Sequence, residues 1–494
     1  MADSDEEKTS EEYYEEGYNY LQKALQSYRN CHEMGHSLGE RAFDIIRAIL
    51  EVIPKNSKTG FSRYLQKAEH GDTESQFYLG VMYENGEGCN QNFQQAAHYY
   101  KLAADKGIAA AQNYLAIMYQ LGKGIEQNLP EAAKYFRMAA DQNLAAAQFC
   151  LGLMYEQGDG VEQNPEEAAR YYRLAADQGD VDAQCNLAAM LYKGAGIPQN
   201  LREAAKYFKR GAVQNDPDSQ CNYATMLLKG EGVRPNVAEA ARYFKSAADQ
   251  GLPEAQFCYG LMLETGNGER LDSEAAIRYY RKAADAGHPL AQTNLAKMMR
   301  VGRGAMKNPQ EAANFFEKAY KSNNIEATAY FGEMKFLGEG TSKDENLGKQ
   351  LILQAAEQGE PAALIWRGEF KIADKKIEDG VKDIRVAADA GLSRGLFDLG
   401  FLMMKGIGVE KDIKTGANLI KQSADAPDSG PDQFYVTSEL FAAGIGLPED
   451  DNEADRYSIA GERSNGVPIV YDFILSMYPK EQKTLEGIIR LLVE

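Results

Sequence analysis

The chain is predicted to be an all-α solenoid, built from helix pairs that stack on one another. Three observations carry this. The dipeptides Ser75-Gln76, Ala111-Gln112, Ala147-Gln148, Ala183-Gln184, Ser219-Gln220, Ala255-Gln256 and Ala291-Gln292 follow one another at intervals of 36 residues without a slip. Two helix-length apolar patterns fit inside each interval. Glycines fall between the patterns at fixed places. A fixed period of this size marks a repeated supersecondary unit whose apolar face is buried only by its neighbours.

Within one period, Glu74 to Glu84 reads as a first helix, because Ser75, Leu79 and Met82 fall on one helical face. Gly86-Glu87-Gly88 breaks it, and Asn90 to Asn92 lead into a second helix, Gln94 to Asp105. There Ala96, Tyr99, Tyr100, Ala103 and Ala104 form the apolar stripe, and Lys106-Gly107 provides the stop. Small residues at 75, 80, 96 and 104 suit close helix crossings, with aromatic rings filling the gaps. The register continues through Ala327-Thr328 and Ala363-Leu364.

The pattern resembles the Sel-1-like repeat family, relatives of the tetratricopeptide repeats. It is carried by Ala147 to Tyr155, by Gly158-Asp159-Gly160-Val161 and by Glu167 to Gly179, and it extends over residues 61 to 470. The resemblance implies a right-handed superhelical α/α solenoid of about 11–12 repeats. It also implies a non-enzymatic adaptor or scaffold. Members of the family include a ubiquitin-ligase subunit of ER degradation, chitin synthase activators and bacterial proteins that engage host cells. None of these particular roles carries over to this chain.

The ends depart from the pattern. Residues 1–60 are expected to be an acidic leader and helical cap, with helices near Tyr13–Arg29 and Leu38–Val52 and a loop at Pro54–Gly60. The regular array spans 61–372, opening with a lone second helix at Arg63–Gly71. Degenerate repeats and a C-terminal cap occupy 373–494, with closing helices from Ile469. The step from Leu364 to Leu396 is only 32 residues, and the Gly-x-Gly loop is missing near Asp374–Glu378. This predicts a discontinuity in the stack, beside the single tryptophan, Trp366.

Composition narrows the partners. The net charge is −19 with 44% apolar residues. An acidic surface disfavours nucleic acids and anionic membranes. No apolar run reaches the ~20 residues that span a bilayer. The first sixteen residues carry eight carboxylates and one lysine, without the apolar segment of a signal peptide. Of the six cysteines, those at 150, 185, 221 and 258 lie near the starts of first helices, one per repeat, and read as reduced thiols. Together these place the protein in the cytoplasm, with the nucleus as an alternative.

Two motifs invite chemistry. His32-Glu33-Met34-Gly35-His36 matches H-E-x-x-H, in which two histidines one turn apart bind zinc and the glutamate acts as general base. A zinc-dependent hydrolase is therefore the alternative function. However, Ala42 stands where a metzincin requires its third histidine, and only 31 residues precede the motif. The Gly-x-Gly loops join helix to helix and carry no following Lys-Ser/Thr, so they read as hinges and not phosphate cradles. No cofactor or metal is expected.

The resemblance to tetratricopeptide solenoids points to the concave face, lined by first helices. The position before Leu79 and its equivalents gives a row: Tyr78, Tyr114, Cys150, Asn186, Asn222, Cys258, Asn294, Tyr330 and Trp366. Its polar and aromatic members, Tyr78, Tyr114, Asn186, Asn222, Asn294, Tyr330 and Trp366, are the candidate partner-binding residues. Amides can pair with an extended backbone, and aromatics serve as anchors. First helices about 10 Å apart would meet every third residue of an extended peptide. Alternatively, these asparagines cap local backbone groups and the tyrosines pack between repeats.

Overall fold

The computed structural model describes residues 58–426, 428–464 and 485–493. It packs into two compact units, one up to Tyr207 and one from Phe208. Two 13-residue helices, a seven-residue connection and a three-residue connection make up the 36-residue period.

In the first unit, α1 (Lys58–Glu69) precedes the pairs α2–α3 (Thr73–Asn85, Phe93–Asp105), α4–α5 (Ala109–Leu121, Leu129–Asp141) and α6–α7 (Ala145–Gln157, Pro165–Asp177). Then come α8 (Val181–Lys193) and α9 (Leu201–Val213), inside which the division falls. Residues 58–60 of the expected Pro54–Gly60 loop already belong to α1, and the rest of that loop lies outside the described residues. A single glycine, Gly60, is tolerated inside a helix at a cost of about 1 kcal/mol.

Each boundary has a local cause. First helices end on a left-handed glycine such as Gly86 (φ 76°), whose N–H donates to the Met82 carbonyl. Second helices begin at Asn92, Asn128 and Asn164, whose side chains accept from N–H groups of the first turn. In the connections, Gln91, Gln127, Gln163 and Gln199 each donate through Nε2 to the carbonyl seven residues earlier, all at 2.8 Å. The short turn between repeats also needs a left-handed residue. Glycine fills it at Gly107 and Gly179, and asparagine at Asn143. Within a pair the helices touch closely: a Cβ on Gly152 would lie 2.7 Å from the Tyr172 ring.

The Ala-Gln dipeptide has a structural role. The alanine is fully buried between helices, and the glutamine joins one repeat to the next. The Nε2 groups of Gln76, Gln112, Gln148 and Gln184 donate to the carbonyls of Ala68, Ala104, Ala140 and Ala176, at 3.1–3.2 Å. Those carbonyls lie in the last turns of the preceding second helices, where each also accepts the backbone N–H three residues on, so the glutamine adds a second bond to the helix end.

In the second unit the pairs are α10–α11 (Pro217–Lys229, Val237–Asp249), α12–α13 (Pro253–Thr265, Ser273–Asp285), α14–α15 (Pro289–Val301, Pro309–Lys321) and α16–α17 (Ile325–Leu337, Glu345–Glu357). They continue with α18–α19 (Pro361–Ala373, Ile377–Asp389), α20–α21 (Ser393–Lys405, Ile413–Asp425) and α22–α23 (Pro431–Ala442, Asp451–Arg463). The final described helix, α24 (Leu485–Val493), buries Ile488, Leu491 and Leu492 in a core with Phe397, Phe401 and Tyr457. The glutamine link recurs from Gln220, Gln256 and Gln292 to Ala212, Ala248 and Ala284. At Thr328 it stops, the hydroxyl turning to its own helix at Asn324.

The shortened repeat lies where the 32-residue step places it. Between α18 and α19 only Asp374–Lys376 connect, with Lys375 left-handed at φ 66°. Gly368 and Gly380 let the two backbones approach, since a Cβ on Gly368 would lie 2.7 Å from the Gly380 carbonyl. Arg367 grips Asp383 through Nε and Nη2, both at 2.8 Å, and Lys371 adds a third contact at 2.7 Å. Burial alone would raise the Asp383 pKa, but these two cations hold it below the usual carboxylate range. The four residues missing from the connection are thus offset by a direct charge clasp.

Candidate partner-binding faces

In the first unit the row stands on α2, α4, α6 and α8. Tyr78 leans on Tyr64 and Phe77, with centroids 5.4 and 5.7 Å away. Tyr114 stacks on Tyr100 at 5.3 Å and 11°, yet remains 40% exposed. Tyr100 in turn donates its hydroxyl to Glu84 at 2.8 Å. Asn186 bonds the Tyr172 hydroxyl, and Tyr172 donates to Glu156 at 2.5 Å. Burial, reinforced by Glu156, raises the Tyr172 pKa, so this phenol stays protonated. Cys150 is a free thiol that burial pushes up to about 11.

In the second unit the row continues through Asn222, Cys258, Asn294, Tyr330 and Trp366. Asn294 and Tyr330 each meet the second-helix ring fourteen positions earlier, whereas for Trp366 that position is Ile352 and holds no ring. Asn294 donates to the Tyr280 hydroxyl at 3.3 Å, and Tyr280 donates to Glu264 at 2.8 Å. Tyr330 stacks on Phe316 at 5.2 Å and 20°. For Asn222 the residue fourteen earlier is Phe208, which has no hydroxyl. Asn222 is exposed and donates to the Asp218 carbonyl of its own helix at 2.9 Å. Trp366 is buried, 4% exposed, against Phe336 and Phe370, with the Arg394 guanidinium 4.3 Å from its ring. Of the alternative to peptide binding, the local backbone bond is made by Asn222 alone and the packing between repeats by Tyr114 and Tyr330, while Asn186 and Asn294 meet tyrosine hydroxyls instead. Tyr114 and Asn222 keep a solvent-facing surface.

A cavity of about 180 Å³ opens among the first helices of this unit, with lining residues from Glu264 in α12 to Gln433 in α22. Its walls hold buried charge. Arg300, 4% exposed, pairs with Glu333 at 2.8 Å and Glu339 at 2.5 Å. Burial opposes the Glu333 charge, but Arg300 outweighs it and the pKa is lowered. The Trp366 indole N–H also donates to Glu333. Arg394 donates to both oxygens of Glu369 at 2.6 and 2.8 Å. Asp398 lies fully buried beside Glu369, and burial raises both carboxyls. Two adjacent carboxylates cannot both stay charged there, so the pair holds one proton. That proton gives one of the two Asp398 oxygens the hydrogen bond that both otherwise lack.

This cluster escaped the sequence reading although a signal existed. Taking the 32-residue step from Trp366 lands the row on Asp398, a carboxylate on an apolar helix face. The His32–His36 motif lies outside the described residues. Among the described residues no group of His, Cys, Asp or Glu is arranged to hold a metal ion. No described helix is long and apolar enough to cross a membrane.

Comparison with known proteins agrees with this architecture. No curated protein matches the chain. The structure is similar to the protective antigen c5321 of uropathogenic Escherichia coli, described as displaying an SLR fold, at 24% identity and a TM-score of 0.62, covering 88% of this chain and 93% of that one. It is also similar to a Sel1 repeat protein from Oxalobacter formigenes, at 28% identity and a TM-score of 0.50, covering 62% of this chain and 88% of that one. The Sel1 repeat profile matches eight consecutive 36-residue windows from 73–108 to 325–360, skips the shortened repeat, and matches again at 393–428. With most of its length in these repeats, the chain belongs to the Sel1 repeat family.

Proposed function

We propose that this protein is a non-enzymatic scaffold that binds partner proteins, as extended segments laid along its first-helix faces. Repeat solenoids of this kind generally act as interaction scaffolds. One observation carries the reading here: the row side chains are held in place before any partner arrives. Tyr114 is fixed by its stack on Tyr100, and Asn294 by the Tyr280–Glu264 hydroxyl pair. Side chains ordered in advance lose little entropy on binding. The net charge of −19 favours proteins over nucleic acids. None of the five described cysteines is in a disulfide, which suits a reducing compartment, the cytoplasm or nucleus.

The test starts from a partner segment identified by affinity capture of the full chain and then synthesised as a peptide. Single variants probe each unit separately: Tyr114→Ala and Asn186→Ala in the first, Asn222→Ala and Asn294→Ala in the second. At least one variant should weaken peptide binding about tenfold in a direct titration, as the loss of a desolvated contact of 1–3 kcal/mol requires. Circular dichroism should stay unchanged. Undiminished binding by all four variants would move the site off the first-helix faces.

A further inference from the structure

The cavity in the second unit leaves one of its carboxylates without a cation partner. Four cations line it: Lys297, Arg300, Arg303 and Arg394. Each is already matched. Lys297 meets Glu326, Arg300 meets Glu333 and Glu339, Arg303 meets Glu264, and Arg394 meets Glu369. One more carboxylate, Asp428, stands at the rim, with solvent on one side and the cavity on the other. Its oxygens accept the Ser393 N–H at 3.2 Å, and no cation among the described residues lies within ion-pair distance. Lys297 and Arg303 act on it only from further away. The lining itself holds these four cations and three carboxylates, Glu264, Glu333 and Asp428, and every cation is already engaged by a glutamate, so Asp428 is the one lining carboxylate without a cation at ion-pair distance. Crowding by surrounding protein raises the Asp428 pKa, as expected of a carboxylate lacking its counter-charge.

We propose that this cavity receives one basic side chain, a lysine or arginine, from a bound segment, with its charged head against Asp428. The assignment deepens the scaffold reading above and rests on it. The size fits, since a cavity near 150 Å³ already holds a benzene-sized group. Met298, Val301 and Ile365 line it and can cover the aliphatic stem, while the head stays near the wet rim. An acidic side chain would find every lining cation already paired. A neutral one would leave Asp428 without a counter-ion.

Trp366 lines the cavity and is the chain's one tryptophan, so its fluorescence reads the site directly. The full chain is titrated with four blocked amino acids: the Nα-acetyl amides of arginine, lysine, glutamine and glutamate. Arginine and lysine should give a saturable change, with glutamine and glutamate at least tenfold weaker. Asp428→Asn should weaken the basic probes at least fivefold, while Asp451→Asn, an exposed carboxylate on α23, should leave them unchanged. Ala362→Leu, which fills the cavity without touching Asp428, should abolish the response and guards against a folding defect in the first variant. Equal response to the glutamate probe, no saturable response to any probe, or full response in both Asp428→Asn and Ala362→Leu would overturn the assignment. If the probes fail while a partner peptide still depends on Asn222 or Asn294, the cavity assignment alone falls and the scaffold reading stands.

Discussion

At the residue scale, Gln148 accounts for the most regular feature of the chain. It is 1% exposed, donates to the Ala140 carbonyl at 3.2 Å and accepts from Gln178 at 2.6 Å. One amide thus adds a bond to the end of α5 and ties it, through α6, to the residue that caps α7. No shorter or purely apolar side chain can do both. Gln148→Ala should weaken this junction by about 1–3 kcal/mol, the cost of stranding buried polar partners. Hydrogen exchange in the last turn of α5 should accelerate accordingly, with α2 unaffected. Uniform acceleration across the unit, or none, would argue against a local role.

At the element scale, the unit of folding is the helix pair with both its connections. Removing 36 residues, from Ala147 through Asp182, joins the start of α6 to the body of α8 in register and exchanges only the Asp180 N-cap for Leu144. Removing the first 18 of these, Ala147 through Asn164, deletes most of one helix and its connection and exposes an apolar face. The first variant should stay soluble with undiminished helicity per residue, and the second should aggregate or lose helicity. Circular dichroism and size-exclusion chromatography of both decide the matter, and equal tolerance would contradict nearest-neighbour stacking. The α18–α19 pair illustrates the same logic in reverse. Four residues shorter, it is closed by Gly368 against Gly380 and by the Arg367–Asp383 clasp.

At the scale of the whole molecule, buried charge in the second unit links its stability to pH. The Glu369–Asp398 pair has raised pKa values, so the folded state keeps a proton that the unfolded chain releases near the ordinary Asp value of 3.8. Its contribution is complete below that value and declines as pH rises toward the folded pKa. Glu333 and Asp383, both lowered, act oppositely and lose their contribution on acidification. Asp398→Asn removes the first effect alone, since an amide can bond Glu369 without a titrating proton. As pH rises above the ordinary Asp value of 3.8, the native protein should lose melting temperature relative to this variant. Parallel melting curves would show that no proton is shared.

The sequence by itself determined the helix pairs, their period and most of their ends. Thr73–Asn85 and Phe93–Asp105 lie within a residue of the expected bounds, because glycine, asparagine and apolar spacing act over a few neighbouring residues. It also placed the shortened repeat, since a missing loop is countable. The binding row was legible as positions but not as contacts. Whether an asparagine there meets a hydroxyl or its own helix depends on the ring fourteen residues earlier, as Asn294 over Tyr280 and Asn222 without one demonstrate. Only the tertiary structure decided where charge is buried. Arg300, Glu333, Arg394 and Asp428 come from different repeats and line one cavity through the stacking of successive first helices. No local pattern encodes that convergence, because burial of a charge is set by what packs around it and not by its neighbours in the chain.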